Sequence, residues 1–281
     1  MSGNEPVAGQ SIITLTTDFG LGDPYVAAMK GVILGLNRAA TVVDVSHDVR
    51  PQQLLEAVYL TQCAWPAFPP GAVHVVVVDP GVGSERRALA VVAPGACFLG
   101  PDNGVLSAAL PEEALPPAGN EPSIVRVPEG YRAYSITNRR YLREPVSATF
   151  HGRDVFAPAA AHLTLGVAAA DLGEATDNMM AFPPLRAGRA PDGALVTRVV
   201  HIDRFGNVIT DVRAEDLPPG AFVIEMAGHV ATGPVTCYED ATGLAALVGS
   251  CGFVEVALPN GSAAETLGVH IGDTASLRPE D

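Results

Sequence analysis

Three short stretches of this chain carry side chains suited to chemistry. In "DPGVGSERR", residues 79–87, Asp79 closes a run of valines and Arg86 follows seven residues later, across a tight turn made by Pro80, Gly81 and Gly83. The arginine lies close enough to fold back onto the acid at a strand-end site, or it merely ties down the loop. In "TTDFGLGDPY", residues 16–25, Asp18 stands between an apolar segment and a glycine-rich turn. It could accept two hydrogen bonds from a sugar diol, or cap the helix that follows. In "TFHGRDVFAPAAAHL", residues 149–163, His151 precedes an alanine-rich helix with Arg153 and Asp154 beside it. A histidine there can carry a proton near neutral pH, or act only as a structural donor.

The elements that must position these residues alternate up to about residue 175. "SIITLTTDFG" reads as a strand, "DPYVAAMKGVILGLN" as a helix started by Asp23 and Pro24, "TVVDVS" as a strand, and "RPQQLLEAVYLTQCAW" as a helix with Pro51 in its first turn. The valines Val75–Val78 show no in/out alternation, as expected of a central parallel strand covered on both faces. "ACFLGPDNGVLSAAL" then gives a strand, a turn and a helical start. The order predicts an α/β domain with a mostly parallel sheet and right-handed crossovers, whose sites lie beyond the carboxyl ends of the strands. Asp18, Asp79 and Asp102 all fall at such ends. Beyond a linker rich in proline, glycine and alanine, the pattern becomes short strands broken by turns, which predicts a small antiparallel β-barrel or sandwich. The expected boundaries are 1–182 for the α/β domain, 183–194 for the linker and 195–281 for the barrel.

Composition narrows the functions. With 31 acidic residues against 17 lysines and arginines, the net charge of −14 disfavours a nucleic-acid partner, whose affinity rests on basic side chains. No apolar run approaches the roughly 20 residues of a membrane helix. The opening "MSGNEPVAGQ" lacks the basic-then-apolar pattern of a secretion signal, and Cys63, Cys97, Cys237 and Cys251 are scattered without metal spacing, so reduced thiols in the cytoplasm are expected. No HExxH, GxSxG, GxxxxGK[ST] or strand-borne GxGxxG motif occurs, so no metal is expected and the common hydrolase, nucleoside-triphosphatase and dinucleotide sites are disfavoured.

Taken together, "TLTTDFGLGDPYVAAMKG", "VVDVSHDVRP", "VVVVDPGVGSERRALAV", "FLGPDNGVLS", "ATFHGRDVFAPAAAHL", "IDRFGNVITDV" and "FVEVALPNGSAAETLG" resemble the S-adenosylmethionine hydrolases that form adenosine and L-methionine. These are also called S-adenosylmethionine hydroxide adenosyltransferases and are relatives of the 5′-halogenating fluorinase and chlorinase. The resemblance implies an amino-terminal α/β domain, a carboxy-terminal β-barrel and a homotrimer with active sites at subunit interfaces. It implies S-adenosylmethionine as substrate, with no cofactor. Asp79, Arg86 and His151 match the family's water-handling set, with Arg87 a less essential neighbour. Asp18 matches the ribose-binding aspartate. Asp203 matches the acid that meets the methionine amino group, with Asp23 a second candidate. Asn207 and Phe205 match positions beside the adenine, Tyr238 is a stacking candidate, and Ser250 with backbone groups would receive the methionine carboxylate.

Two departures accompany the resemblance. The arginine that the halogenating relatives place near the carboxylate is missing from "VGSCGFVEVALPNG", and residues 111–138 make a longer insertion than compact members carry. The alternatives are 5′-halogenation, disfavoured because the Asp79 carboxylate would repel a halide, and a non-catalytic adenosylmethionine or adenosine binder.

Overall fold

The computed structural model describes residues 11–117, 119 and 121–280. The expectation read from "MSGNEPVAGQ", and Ala118 and Asn120 of the long insertion, lie outside the described residues. The chain divides into two compact units, Met1–Pro184 and Leu185–Asp281.

In the first unit the strands are β1 (Ile12–Thr17), β2 (Thr41–Ser46), β3 (Ala72–Val77), β4 (Ala88–Ala93), β5 (Ala96–Pro101), β6 (Ser123–Arg126), β7 (Arg132–Ser135), β8 (Ala175–Thr176) and β9 (Asn178–Ala181), with helices α1 (Tyr25–Leu36), α2 (Leu54–Ala64) and α3 (Ala157–Thr164). The main sheet runs β2-β1-β3-β5-β4-β7-β8; its β2, β1, β3 and β5 strands are parallel, and β4, β7 and β8 continue it antiparallel. Every residue of β3 is buried, and its side chains divide between two cores. Val73, Val75 and Val77 pack with Met29, Ile33 and the alanines of α3, whereas Val76 and Val78 pack with Ala57, Phe98 and Leu106 on the opposite face. A strand covered twice has no polar side to show, which explains the run of valines. The small residues Ala157, Ala159, Ala160 and Ala161 are buried against the first of these cores.

One local expectation changes. α2 begins only at Leu54, because Gln52 sits at φ +67°, outside the helical region, so Pro51 belongs to the preceding turn. The insertion is part of the sheet architecture: β6 pairs with β9 in a two-stranded ribbon, and β7 lies beside β4.

The second unit contains β10 (Gly188–Arg189), β11 (Leu195–Ile202), β12 (Val208–Arg213), β13 (Phe222–Met226), β14 (His229–Gly233), β15 (Ala245–Val248), β16 (Phe253–Ala257) and β17 (Thr274–Pro279), with a short α4 (Ala263–Leu267). The order β11-β12-β16-β15-β14-β13-β17 closes through a β17–β11 pairing into a seven-stranded, mostly antiparallel barrel. β10, inside the segment expected as linker, pairs with the start of β11. The barrel is filled by the inward positions of each strand, including Val199, Val208, Phe222, Ile224, Val254 and Leu277.

Candidate active site

At the carboxyl end of β3 the chain turns through Asp79 and returns with Arg86. Arg86 Nε donates to Asp79 Oδ1 at 2.9 Å, and Nη2 donates to the other carboxylate oxygen. The side chains are only 5% and 10% exposed, so each charge depends on the other for compensation. Arg86 Nη2 also lies 2.7 Å from His151 Nδ1. A guanidinium has no acceptor, so Nδ1 must accept, and the proton of the neutral ring is carried by Nε2. Burial, and then the charge of Arg86, hold His151 below its ordinary pKa, outweighing the opposite pull of Asp79 and Asp154. The three residues thus form one hydrogen-bonded unit with a neutral imidazole at its edge.

Loop packing brings them together. Gly83 has φ +79°, and a Cβ there would stand 2.2 Å from the carbonyl oxygen of Ala148, so only glycine lets the Asp79 turn press against the segment leading to His151. That segment is pinned by fully buried Asp154, which accepts from Arg153 Nε at 2.7 Å, Arg143 Nη1 at 3.1 Å and the Ser147 amide at 2.9 Å. His151 immediately precedes a π-helical turn, Gly152–Phe156, that leads into α3.

Asp18 follows β1, next to β3 in the sheet, where Thr17 pairs with Val77. Burial raises its pKa, the Gln52 amide partly opposes this, and the charge of Asp79 raises it further, so the two carboxylates feel one another. Asp18 does not cap α1, whose first turn has no side-chain cap; its Oδ2 accepts the Gln52 amide at 3.0 Å. Asp23 is exposed in the turn before α1.

Arg87 points elsewhere. It donates to Asp102 Oδ2 at 2.8 Å, Thr176 Oγ1 at 2.8 Å and Asn178 Oδ1 at 3.0 Å, and Asp102 also accepts the Met180 amide at 2.7 Å. The third strand-end acid is therefore committed to joining β5 to the β8–β9 segment. Phe19, Tyr25 and Phe150 form an edge-to-face cluster with centroids 5.2–5.9 Å apart, and the Arg153 guanidinium lies 5.0 Å from the Phe150 ring centroid. These rings escaped the sequence reading, although each flanks a motif residue.

In the second unit Asp203 organises the β11–β12 turn. Its Oδ1 accepts the amides of Phe205 and Asn207, both at 2.9 Å, and Oδ2 accepts Asn207 Nδ2 at 2.9 Å. Gly206, at φ +82°, lets this turn approach Ser262, whose Oγ would lie 2.2 Å from a Cβ at that position. Asn207 is buried, while Phe205 holds its ring 78% exposed at the tip. Tyr238 donates its hydroxyl to Glu255 Oε1, a bond that pushes the phenol up to about 12. Burial raises the Glu255 pKa, Tyr238 opposes this, and Asp203 adds to the rise, so these residues share one neighbourhood. Ser250 is exposed in the β15–β16 turn, next to Gly249, which packs against Glu255. Sequence reasoning missed Glu255; its signal was a glutamate between valines in an otherwise apolar strand. Among the described residues, no group of three or more His, Cys, Asp and Glu side chains converges as a metal site would.

Both units match known domains in order. Residues 13–173 match the SAM hydroxide adenosyltransferase N-terminal domain and residues 197–276 the corresponding C-terminal domain. The chain belongs to the SAM hydroxide adenosyltransferase family. Within that family it is similar to the (R)-S-adenosyl-L-methionine hydrolase of Thermus thermophilus, 41% identical over 262 residues that cover 91% of this chain and 95% of the relative. It is also similar to the hydrolase of the same name from Salinispora tropica, 38% identical with 93% and 95% covered. A fluorinase of an Actinoplanes species is more distant, at 26% identity with 75% of each chain covered. Among solved structures, an uncharacterized conserved protein from Thermotoga maritima superposes with TM-score 0.81 at 29% identity, covering 94% of this chain and 99% of that one. A conserved hypothetical protein from Thermus thermophilus gives TM-score 0.70 at 36% identity, covering 96% and 100%. The SAM hydroxide adenosyltransferase assignment thus spans both units and every motif that carried the resemblance.

Proposed function

We propose that this chain hydrolyses S-adenosyl-L-methionine to adenosine and L-methionine. Water attacks C5′, a C–O bond forms as the C5′–S bond breaks, the electron pair goes to sulfur, and one proton leaves the oxygen. The observation that carries this reading is the union of Asp79, Arg86 and His151 in one buried, hydrogen-bonded group, in a chain 38–41% identical to proteins named as S-adenosylmethionine hydrolases. The sulfonium is already an excellent leaving group, so neither a cofactor nor a covalent nucleophile is needed. The work left to the protein is to hold a water opposite sulfur and receive its proton.

The geometry divides that work. Arg86 cannot accept a proton and serves as an electrostatic anchor. His151 has its Nδ1 lone pair engaged by Arg86 and therefore offers an Nε2–H donor that orients the water oxygen. Asp79 is the remaining acceptor. Its demand is modest, because the oxygen becomes strongly acidic as it bonds to C5′. In this reading Asp18 holds the ribose diol, Asn207 and Phe205 border the adenine, and Tyr238 stacks beside it. Asp203 meets the methionine ammonium, with Asp23 as second candidate, and Ser250 with neighbouring amides receives the carboxylate. The protein acts without a cofactor, in the cytoplasm, as a homotrimer with active sites at subunit interfaces, a reading supported by the 78% exposed ring of Phe205. Among the described residues no helix is long and apolar enough to cross a membrane.

The test is incubation of purified protein with S-adenosylmethionine after EDTA treatment, with and without chloride or fluoride, and analysis by mass spectrometry. Adenosine and methionine in every arm support the reading. A halogenated nucleoside, or turnover that is lost on chelation and restored by zinc or magnesium, contradicts it.

A further inference from the structure

Behind Asp18 lies a chain of polar side chains that the reaction does not use. The hydroxyl of Thr17, a residue with no exposed surface, lies 2.8 Å from His47 Nδ1, and the ring of His47 is itself buried. The other ring nitrogen, Nε2, stands 3.0 Å from Asp44 Oδ1, off the line of an ideal hydrogen bond, and Lys30 donates to Asp44 Oδ2 at 2.6 Å. A carboxylate beside Nε2 favours the ring hydrogen on that nitrogen, and in the neutral ring Nδ1 then accepts from the Thr17 hydroxyl, whose oxygen in turn accepts the Phe19 amide at 3.3 Å.

The same segment grips the loop twice more. The Gly20 amide donates to the carbonyl oxygen of His47 at 2.7 Å, and the Gln52 amide to Asp18 Oδ2 at 3.0 Å. Residues on both sides of Asp18 are thus bound to the chain between Asp44 and Gln52. A bulge between Leu15 and Thr16 shifts the β1–β2 register from Leu15–Asp44 to Thr16–Ser46 just before these contacts. Gln52 holds a left-handed backbone, φ +67°, unusual for a side chain of its kind. An ordinary loop needs none of this. A carboxylate that must present both oxygens to a rigid diol does, because misplacement of a bidentate acceptor loses both hydrogen bonds at once.

We propose that His47, held by Asp44 and reading the Thr17 hydroxyl, is a positioning residue that fixes Asp18 for recognition of the ribose diol. This rests on the reading that Asp18 binds that diol. The interaction that selects the 2′-hydroxyl is therefore set by a histidine that touches no substrate.

The experiment measures, by calorimetry, the affinities of adenosine and 2′-deoxyadenosine for the wild type and for the variants Asp18→Asn, Thr17→Val, Thr17→Ser and Asp44→Ala. The wild type should prefer adenosine at least tenfold and Asp18→Asn should abolish the preference. Thr17→Val, which keeps the shape and removes the hydroxyl, should cut the preference at least fivefold, while Thr17→Ser restores it. Asp44 is 37% exposed, so Asp44→Ala keeps the measurement available if the buried variant does not fold; it should cut the preference two- to threefold. Loss of preference in Asp18→Asn with wild-type preference in both Thr17→Val and Asp44→Ala overturns the positioning role alone. An unchanged preference in Asp18→Asn overturns the diol reading, and the positioning role with it.

Discussion

Arg86 Nη2 donates to His151 Nδ1 at 2.7 Å while the same guanidinium holds both oxygens of Asp79. That single contact fixes which tautomer the neutral His151 ring adopts and leaves Nε2–H as its free donor. A protonated His151 would turn a second N–H toward a cation and break the contact.

The first prediction concerns pH. Because burial and the charge of Arg86 hold His151 below its ordinary pKa, its protonation sets in at lower pH than for an ordinary histidine. kcat/KM should be flat from neutral to mildly alkaline pH and fall on acidification, as the neutral, Arg86-bound ring is lost. Nitrogen NMR of the imidazole should show the Nε2–H tautomer at neutral pH. A rate that instead rises on acidification through the histidine range, or an Nδ1–H ring, contradicts the assignment.

Asp79, Arg86 and His151 should behave as one unit. Asp79→Asn and Arg86→Ala should each reduce kcat by a hundredfold or more with adenosine affinity little changed, and the double variant should be scarcely worse than either single one. Multiplicative losses in single-turnover assays would show that the side chains act independently.

Arg87 is the contrasting neighbour. Its bonds to Asp102, Thr176 and Asn178 join strands and do not reach the Asp79 group. Arg87→Ala leaves the nearly buried Asp102 without its cation and should cost about 2 kcal/mol of stability, seen as a melting temperature several degrees lower. Below that temperature, turnover should stay within a few-fold of wild type. A kcat loss equal to that of Arg86→Ala with unchanged melting would reverse the roles of the two arginines.

How much of this was legible in the sequence follows from where each signal resides. The Val75–Val78 run disclosed a doubly covered strand because burial on both faces removes alternation, and the seven-residue interval from Asp79 to Arg86 disclosed a returning loop. The partners of Arg87 did not show, because Thr176 and Asn178 lie some ninety residues away and meet it only through sheet order. Gln52 was read near a helix start because nothing in "RPQQLLEAV" announces a left-handed residue; the Asp18 carboxylate that accepts its amide stands beyond the end of β1, 34 residues earlier. Glu255 was hidden for the opposite reason. A strand pattern marks it as buried without saying that Tyr238 and Asp203 surround it.

His74 gives a pH dependence of stability unrelated to catalysis. Buried beside Thr14 and stacked on Phe98 at 4.9 Å, it is pushed by burial down to about 4 from its ordinary 6.5. The unfolded chain therefore takes up the proton first. Stability should fall as pH drops from 6.5 toward 4, by at most roughly 3 kcal/mol from this residue. Denaturant titrations at neutral and mildly acidic pH, for the wild type and His74→Gln, should show a smaller loss in the variant; equal losses would remove His74 as the cause.

The most direct measurement of the central claim is turnover of S-adenosylmethionine in oxygen-18 water, with the products weighed by mass spectrometry. Attack by water at C5′ predicts one heavy oxygen in adenosine and none in methionine. Adenosine without the label, label in the methionine fragment, or a halogenated nucleoside as the main product when chloride is added would contradict it.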